Sequence, residues 1–155
     1  MSNIVGARVD ERLIHGQVAT AWTNHLKATR IMVIDNDLVV SSIDKMALKM
    51  ACPSNCKLSI LSVEKAIKNL KTDKYEKDRI FIVCKKPDYF ATLLENNVNF
   101  DKVILGNMSD KGNTSKMLRR SVYVNQEDIV QLDKIKSFGT MIYLQQTPSD
   151  TGEIY

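Results

Sequence analysis

The sequence predicts an α/β fold, a single three-layer sandwich whose mostly parallel central sheet of about seven strands carries helices on both faces. Three observations lead to it. Apolar runs of strand length alternate with amphipathic stretches of helical length along the whole chain, and that alternation builds βαβ units around a parallel sheet. The runs 30–35 (RIMVID) and 79–84 (RIFIVC) lack any period-two alternation, as strands buried on both faces do. Finally, 155 residues suffice for one domain with its own core. No linker, low-complexity tract or internal repeat interrupts the pattern, so residues 1–155 are read as one domain.

The elements follow in order. Residues 4–9 form a first strand almost at the N-terminus. Val18, Ala19, Trp22 and Leu26 then mark one buried face of a helix over 16–26. The strand 30–35 precedes a helix over 41–51, whose Ile43, Met46, Ala47 and Met50 make an apolar stripe expected to face the core. Met46 and Met50 suit that role as adaptable filler, and Pro53 closes the segment. A short strand 57–61 leads to Ser62, an N-cap for a helix through Ala66, Ile67 and Leu70. After the strand 79–84, Pro87 sits in the first turn of a helix bearing Phe90, Leu93 and Leu94. A strand over 102–105 ends at Gly106, and the polar stretch 107–115 reads as a mobile loop. A strand over 121–124 follows. Asn125 caps a helix carrying Ile129, Leu132, Ile135 and Phe138, which Gly139 terminates. The last strand covers 140–146.

Composition excludes several classes of function. Twenty-two Lys and Arg against 18 Asp and Glu leave a net charge of +4, too mild to mark a nucleic-acid binder. No apolar run approaches the ~18 residues of a membrane span. Arg8, Asp10 and Glu11 stand where a signal peptide would keep its apolar core, so export is not expected. Cys52 and Cys56 have no second Cys/His pair nearby, and with Cys84 they are read as free thiols. The two histidines rule out a His-rich metal site. Neither a metal nor a cofactor is expected.

The chemistry concentrates after the first strand, at the carboxyl edge where open α/β sheets bind ligands. Asp10-Glu11-Arg12-Leu13-Ile14-His15-Gly16-Gln17 places a carboxylate, a guanidinium, an imidazole and a glycine directly before a helix. It is neither GxGxxG nor a Walker loop, so a dinucleotide fits poorly. It suits the holding of one phosphoryl group on His15. An imidazole, with an ordinary pKa of ~6.5, is largely neutral and nucleophilic at pH 7. The free amides of a helix start accept phosphate oxygens, which makes Gly16 and Gln17 the candidate phosphate-binding positions. Gly16 lets the backbone approach closely. Arg12 offers a planar fork matched to phosphate, and Asp10 orients either the imidazole or Arg12. His25, near the end of the same helix, is read as structural. Set against all this, a loop histidine is commonly only solvated and an Asp–Arg neighbour pair is commonly only a surface pair.

The stretch Arg8-Val9-Asp10-Glu11-Arg12-Leu13-Ile14-His15-Gly16-Gln17-Val18, followed by Thr20-Ala21-Trp22, resembles the active-site segment of the IIB subunits of the bacterial sugar phosphotransferase system, the mannose/fructose/sorbose/N-acetylgalactosamine family. The similarity extends to the segments 61–67, 103–108 and 121–129. The resemblance implies a protein-Nπ-phosphohistidine–sugar phosphotransferase. Such a protein takes a phosphoryl group from a phosphorylated IIA subunit, holds it on a histidine, and passes it to a sugar entering through the membrane subunits IIC and IID. Matched by position, the phosphorylated histidine falls on His15 and the phosphate-stabilising arginine on Arg12, with Asp10 in support. A cytoplasmic protein, peripheral to its permease, is implied. The sugar is left open.

Two rival readings come from the residues. Asp35-Asn36-Asp37 after the second strand offers an acidic loop of the receiver or flavodoxin kind that would hold Mg²⁺, against its plainer use in caps and turns. Lys85, Lys86, Lys111, Lys116, Arg119 and Arg120 fall after the fourth and fifth strands and would form a basic rim near His15. That rim either makes a non-enzymatic interaction domain, steers an acidic IIA surface, or is simply solvated.

Overall fold

The computed structural model describes residues 3–112 and 115–155. Among these residues nine strands and five α-helices follow one another as β1 (Ile4–Asp10), α1 (Gly16–Leu26), β2 (Arg30–Ile34), α2 (Ser42–Ala51), β3 (Lys57–Leu61), α3 (Val63–Leu70), β4 (Ile80–Cys84), α4 (Asp88–Glu95), β5 (Lys102–Asn107), β6 (Lys116–Arg119), β7 (Val122–Val124), α5 (Gln126–Ser137), β8 (Met141–Leu144) and β9 (Glu153–Ile154). Seven of the strands form one sheet in the order β3-β2-β4-β1-β5-β8-β9. All pairings in it are parallel except that of β9 with β8.

Alternate strand residues feed two core layers, as the pleat requires. Ala7, Val9, Met32, Ile34, Ile82 and Leu105 pack under α3, α4 and α5, where Ala66, Phe90 and Leu132 meet them. Ile31, Val33, Phe81, Val83 and Ile104 pack under α1 and α2, against Trp22 and Leu48. The crossover after β1 therefore covers one face, while those after its neighbours β4 and β5 cover the other. The carboxyl end of β1 is consequently a switch point, where a crevice opens between diverging connections.

The sheet has the expected number of strands but a different membership. Of the stretch 121–124, Val122–Val124 forms a strand, β7, with Ser121 in the turn before it, and the strand pairs antiparallel with β6, outside the main sheet. The seventh place belongs to β9, whose two residues are too few to leave a pattern in the sequence. The strand expected to end at Gly106 runs on through Asn107. Of the expected 107–115 loop, positions 113–114 lie outside the described residues. Its first part is fastened: Met108 bridges Val122, its amide donating to the Ser121 carbonyl at 2.8 Å.

One expectation fails on α2. The helix forms, with the Ser41 hydroxyl accepting from the Asp44 amide at 3.3 Å. Its stripe faces outward, however: Ile43 is 81% exposed, Met46 65% and Met50 83%, and Ala47 is exposed as well. Leu48, on the opposite side, is the residue that enters the core. Periodicity identifies an amphipathic helix without saying which neighbour its apolar side meets.

Candidate active site

The site is built on the last residues of β1. Ala7 and Val9 face one core layer, so Arg8 and Asp10 both point toward the α1 side, where they are 2% and 1% exposed. The register against β5 slips between Val9 and Asp10, bringing Asp10 opposite Asn107; such an irregularity re-aims a side chain at a strand end. Asp10 then acts as a shared acceptor. Its Oδ1 receives the Arg12 amide at 2.9 Å and Arg12 Nε at 3.1 Å, and its Oδ2 receives Arg12 Nη2 at 3.1 Å. Arg8 Nη2 approaches the same Oδ2 at 3.3 Å.

Arg8 is held from every side. Its Nη1 donates to the Gln145 carbonyl at 3.0 Å, and its guanidinium carbon lies 5.4 Å from the centroid of the Trp22 ring. Trp22 in turn donates through Nε1 to the Gln146 carbonyl at 2.9 Å. Gly106 lies directly beneath: a Cβ there would stand 2.0 Å from Arg8 Nη2, so only glycine lets β5 pass under the guanidinium. Burial pulls the Arg8 guanidinium below its ordinary value, and the Asp10 carboxylate opposes that pull. A buried ion pair, stacked and hydrogen-bonded, therefore underlies the loop.

The loop above it is pinned from within. The Leu13 amide donates to the Asp10 carbonyl at 2.9 Å. Leu13 adopts a left-handed backbone (φ 60°), and both Leu13 and Ile14 bury their side chains. This local anchoring turns the remaining residues outward. Arg12, His15, Gly16 and Gln17 are exposed. His15 is the N-cap of α1, with extended backbone (φ −133°, ψ 95°). Its carbonyl accepts the first intrahelical bonds from the amides of Val18 and Ala19, leaving the amides of Gly16 and Gln17 at the open helix end. Among the described residues, its imidazole makes no hydrogen bond. Gly16 has φ +42°, and a side chain there would meet nothing within 4 Å. Glycine is thus suited to this position by backbone conformation, with the space above it clear.

The structure places Asp10, Arg12, His15, Gly16 and Gln17 on one strand-to-helix loop, where the Asp10 carboxylate bonds Arg12, and Arg8 below it, rather than the imidazole. Arg8, Gly106, Trp22 and the 145–146 backbone were not assigned a place in the site. Arg8 did leave a signal, since a charge at a mid-strand position flanked by core residues needs a buried partner. His25 lies exposed on the last turns of α1, its ring edge-on to Trp22 at 6.0 Å.

Other readings of the sequence meet the structure less well. Asp35 Oδ1 accepts the amides of Asp37 and Leu38 at 3.0 and 2.9 Å, which makes it a turn cap. Asn36 Oδ1 accepts the Val63 amide at 2.9 Å. The basic rim is partly occupied too: Arg119 pairs with Asp150 at 2.6 Å, Lys111 with Asp128 at 3.5 Å and Glu11 at 3.7 Å, and Lys86 with Asp88 at 3.9 Å. A cleft of about 560 Å³ opens at the amino edge of the sheet between Ile4, Leu94, Phe100 and Phe138, away from His15. His15 stands instead on an open rim that a second protein can reach.

Comparison with known proteins agrees with this geometry. A profile described as "PTS system sorbose subfamily IIB component" matches residues 4–154. The chain is 33% identical over 153 residues to the fructose-specific EIIB component of Bacillus subtilis, covering 99% of this chain and 93% of that one. The IIBSor domain of the sorbose permease from Klebsiella pneumoniae superposes with a TM-score of 0.92 at 27% identity, over 99% of this chain and 93% of that one. An N-acetylgalactosamine-specific IIB component from Escherichia coli superposes with a TM-score of 0.90 at 28% identity, over 97% of each.

Proposed function

The chain belongs to the sorbose-subfamily IIB components of the sugar phosphotransferase system, and on that premise we propose that it carries the phosphoryl group on His15, between a phosphorylated IIA subunit and a sugar entering through IIC and IID membrane subunits. One observation carries this reading: an exposed imidazole at the N-cap of α1, beside a guanidinium fixed by the buried Asp10.

The steps follow from that arrangement. A neutral imidazole nitrogen of His15 attacks the phosphorus of the donor's phosphohistidine in line; the new N–P bond forms as the donor N–P bond breaks, and the donor imidazole leaves. Negative charge on the equatorial oxygens is met by Arg12 and by the open amides of Gly16 and Gln17. Arg12 uses Nε and Nη2 on Asp10, which keeps Nη1 on the free side for a phosphoryl oxygen. In the second transfer a sugar hydroxyl attacks the same phosphorus; the O–P bond forms as the His15 N–P bond breaks, and the hydroxyl proton passes to the departing imidazole or to solvent. Gln17, exposed in the first turn of α1, is accessible to either donor or acceptor.

The location of the protein belongs to the same proposal. No helix among the described residues is long and apolar enough to cross a membrane; with IIA, IIC and IID as the proposed partners, the proposed site of action is the cytoplasmic face of the permease. Lys85, Lys116 and Arg120, which carry no ion pair among the described residues, are the rim charges left to steer an acidic donor surface. The test is labelling by phosphorylated IIA. His15→Ala abolishes the acid-labile phosphate and His25→Ala retains it; a His15→Ala protein that still labels refutes the proposal.

A further inference from the structure

Beside Arg12, the Glu11 carboxylate is gripped by the connection that follows β5. The Ser109 amide donates to Glu11 Oε2 at 2.8 Å and the Ser109 hydroxyl to Oε1 at 2.7 Å. Lys111 Nζ stands 3.7 Å from Glu11 Oε2 and 3.5 Å from Asp128 Oδ2. The same ammonium donates to the carbonyls of Ser109 at 3.0 Å and Tyr123 at 3.3 Å. Asp128 is itself committed to the capping box of α5, its Oδ2 accepting the Asn125 amide at 3.0 Å. One lysine thus joins the His15 loop, β7 and the start of α5. The Glu11 amide adds a bond to the Asn107 carbonyl at 3.0 Å.

This juxtaposition has an electrostatic consequence. Glu11 is adjacent in sequence to Arg12, and a phosphoryl dianion arriving at His15 meets whatever charge Glu11 presents. Unpaired, that carboxylate would repel the phosphoryl group and compete for Arg12. Paired with Lys111, which Asp128 shares, and hydrogen-bonded through both oxygens by Ser109, its charge is offset and its oxygens are engaged by the connection after β5. We infer that Lys111 and Ser109 are positioning residues for phosphoryl transfer, acting through Glu11: they offset its charge and fix the side of the loop that presents Arg12 and His15. The inference rests on the phosphoryl-relay reading above and deepens it.

Phosphorylation of His15 by phosphorylated IIA, followed by rapid quench over a range of donor concentrations, tests it. Lys111→Met slows the transfer below saturating donor about tenfold, and most at low salt, because an uncompensated carboxylate next to Arg12 in the chain opposes the arrival of a phosphoryl dianion. Lys111→Arg keeps the wild-type rate within about twofold. Adding Glu11→Gln to Lys111→Met restores the rate, since the offending charge is gone while the amide still bonds Ser109; a merely structural role for Lys111 gives no such rescue. Ser109→Ala, a change at an exposed position that leaves the fold alone, gives a smaller loss of about threefold and serves if Lys111→Met does not fold. A Lys111→Met rate equal to wild type overturns the inference, as does a slow variant that Glu11→Gln fails to rescue. Failure of the relay reading is a separate result, the absence of label on wild-type His15.

Discussion

Asp10 is the residue on which the site turns. It is almost wholly buried, yet two guanidinium groups share its carboxylate, one of them sealed under Trp22 and the other reaching the surface. The pair of arginines exceeds the one carboxylate by a positive charge, and an incoming phosphoryl group meets that excess. The Arg12 fork matters as much as its charge, because Nε and Nη2 hold Asp10 at once. Arg12→Lys keeps the charge and loses the fork; charged hydrogen bonds contribute ~1.5–3 kcal/mol, so transfer to His15 slows at least about tenfold. A quenched time course measures it, and an unchanged rate would remove Arg12 from the mechanism. Much of this site was legible in the sequence, because strand, loop and helix start occupy one short stretch and every exposed member lies in it. Gly106, Gln145 and Gln146 were not, because they reach the site only through strand order, which no local pattern encodes.

At the scale of elements, the same division between local and non-local information holds. The start of α1 at Gly16, the Ser62 and Asn125 caps and the strand read over 30–35, observed over Arg30–Ile34, were readable because each depends on neighbouring residues. The outward face of α2 was not, since a helix with an apolar stripe and one inward Leu48 looks the same whichever way it turns. Stability separates the two orientations. Ile43→Ser and Met50→Ser, at exposed positions, change the unfolding free energy by no more than about 0.5 kcal/mol, whereas Leu48→Ala costs about 2–5 kcal/mol. Urea midpoints report this directly; equal losses at Ile43 and Leu48 would contradict the placement. The β6–β7 hairpin was half legible: it interrupts the βα alternation, and its pairing partner lies across a turn at Ser121 with φ 70°.

For the whole molecule, charge is divided between the two edges of the sheet. At the carboxyl edge it serves the loop, through Arg8, Asp10, Arg12, Glu11 and Lys111. At the amino edge, Asp78 ties strands together: it accepts from Thr29 at 3.1 Å and Arg30 at 2.9 Å and pairs with Lys57 at 3.5 Å. Burial pushes its carboxyl up, but the bonds from Arg30 and Thr29 and the charges of Arg30 and Lys57 bring it below its ordinary value. A carboxylate so depressed in the folded state adds stability that is complete above the unfolded value of ~3.9 and is lost as pH falls through the lower folded one. Asp78→Asn therefore costs about 1–3 kcal/mol at neutral pH, and the gap to wild type narrows below pH ~4; thermal unfolding across that range checks it, and a gap that widens in acid would be the wrong sign.

The net charge of +4 and the two histidines now have distinct places. One imidazole stands on the open rim of the switch point, one braces Trp22, and part of the basic excess is already paired with acids. The central claim is that a single exposed imidazole is the whole relay. It is tested most directly by phosphorylating the wild-type protein with phosphorylated IIA, locating the phosphate by mass spectrometry, and following its stability in acid and base. The wild-type protein is expected to carry one phosphate, on His15, lost in mild acid and stable in base. A base-labile acyl phosphate on an aspartate such as Asp35, or an acid-labile phosphate on His25, would contradict it.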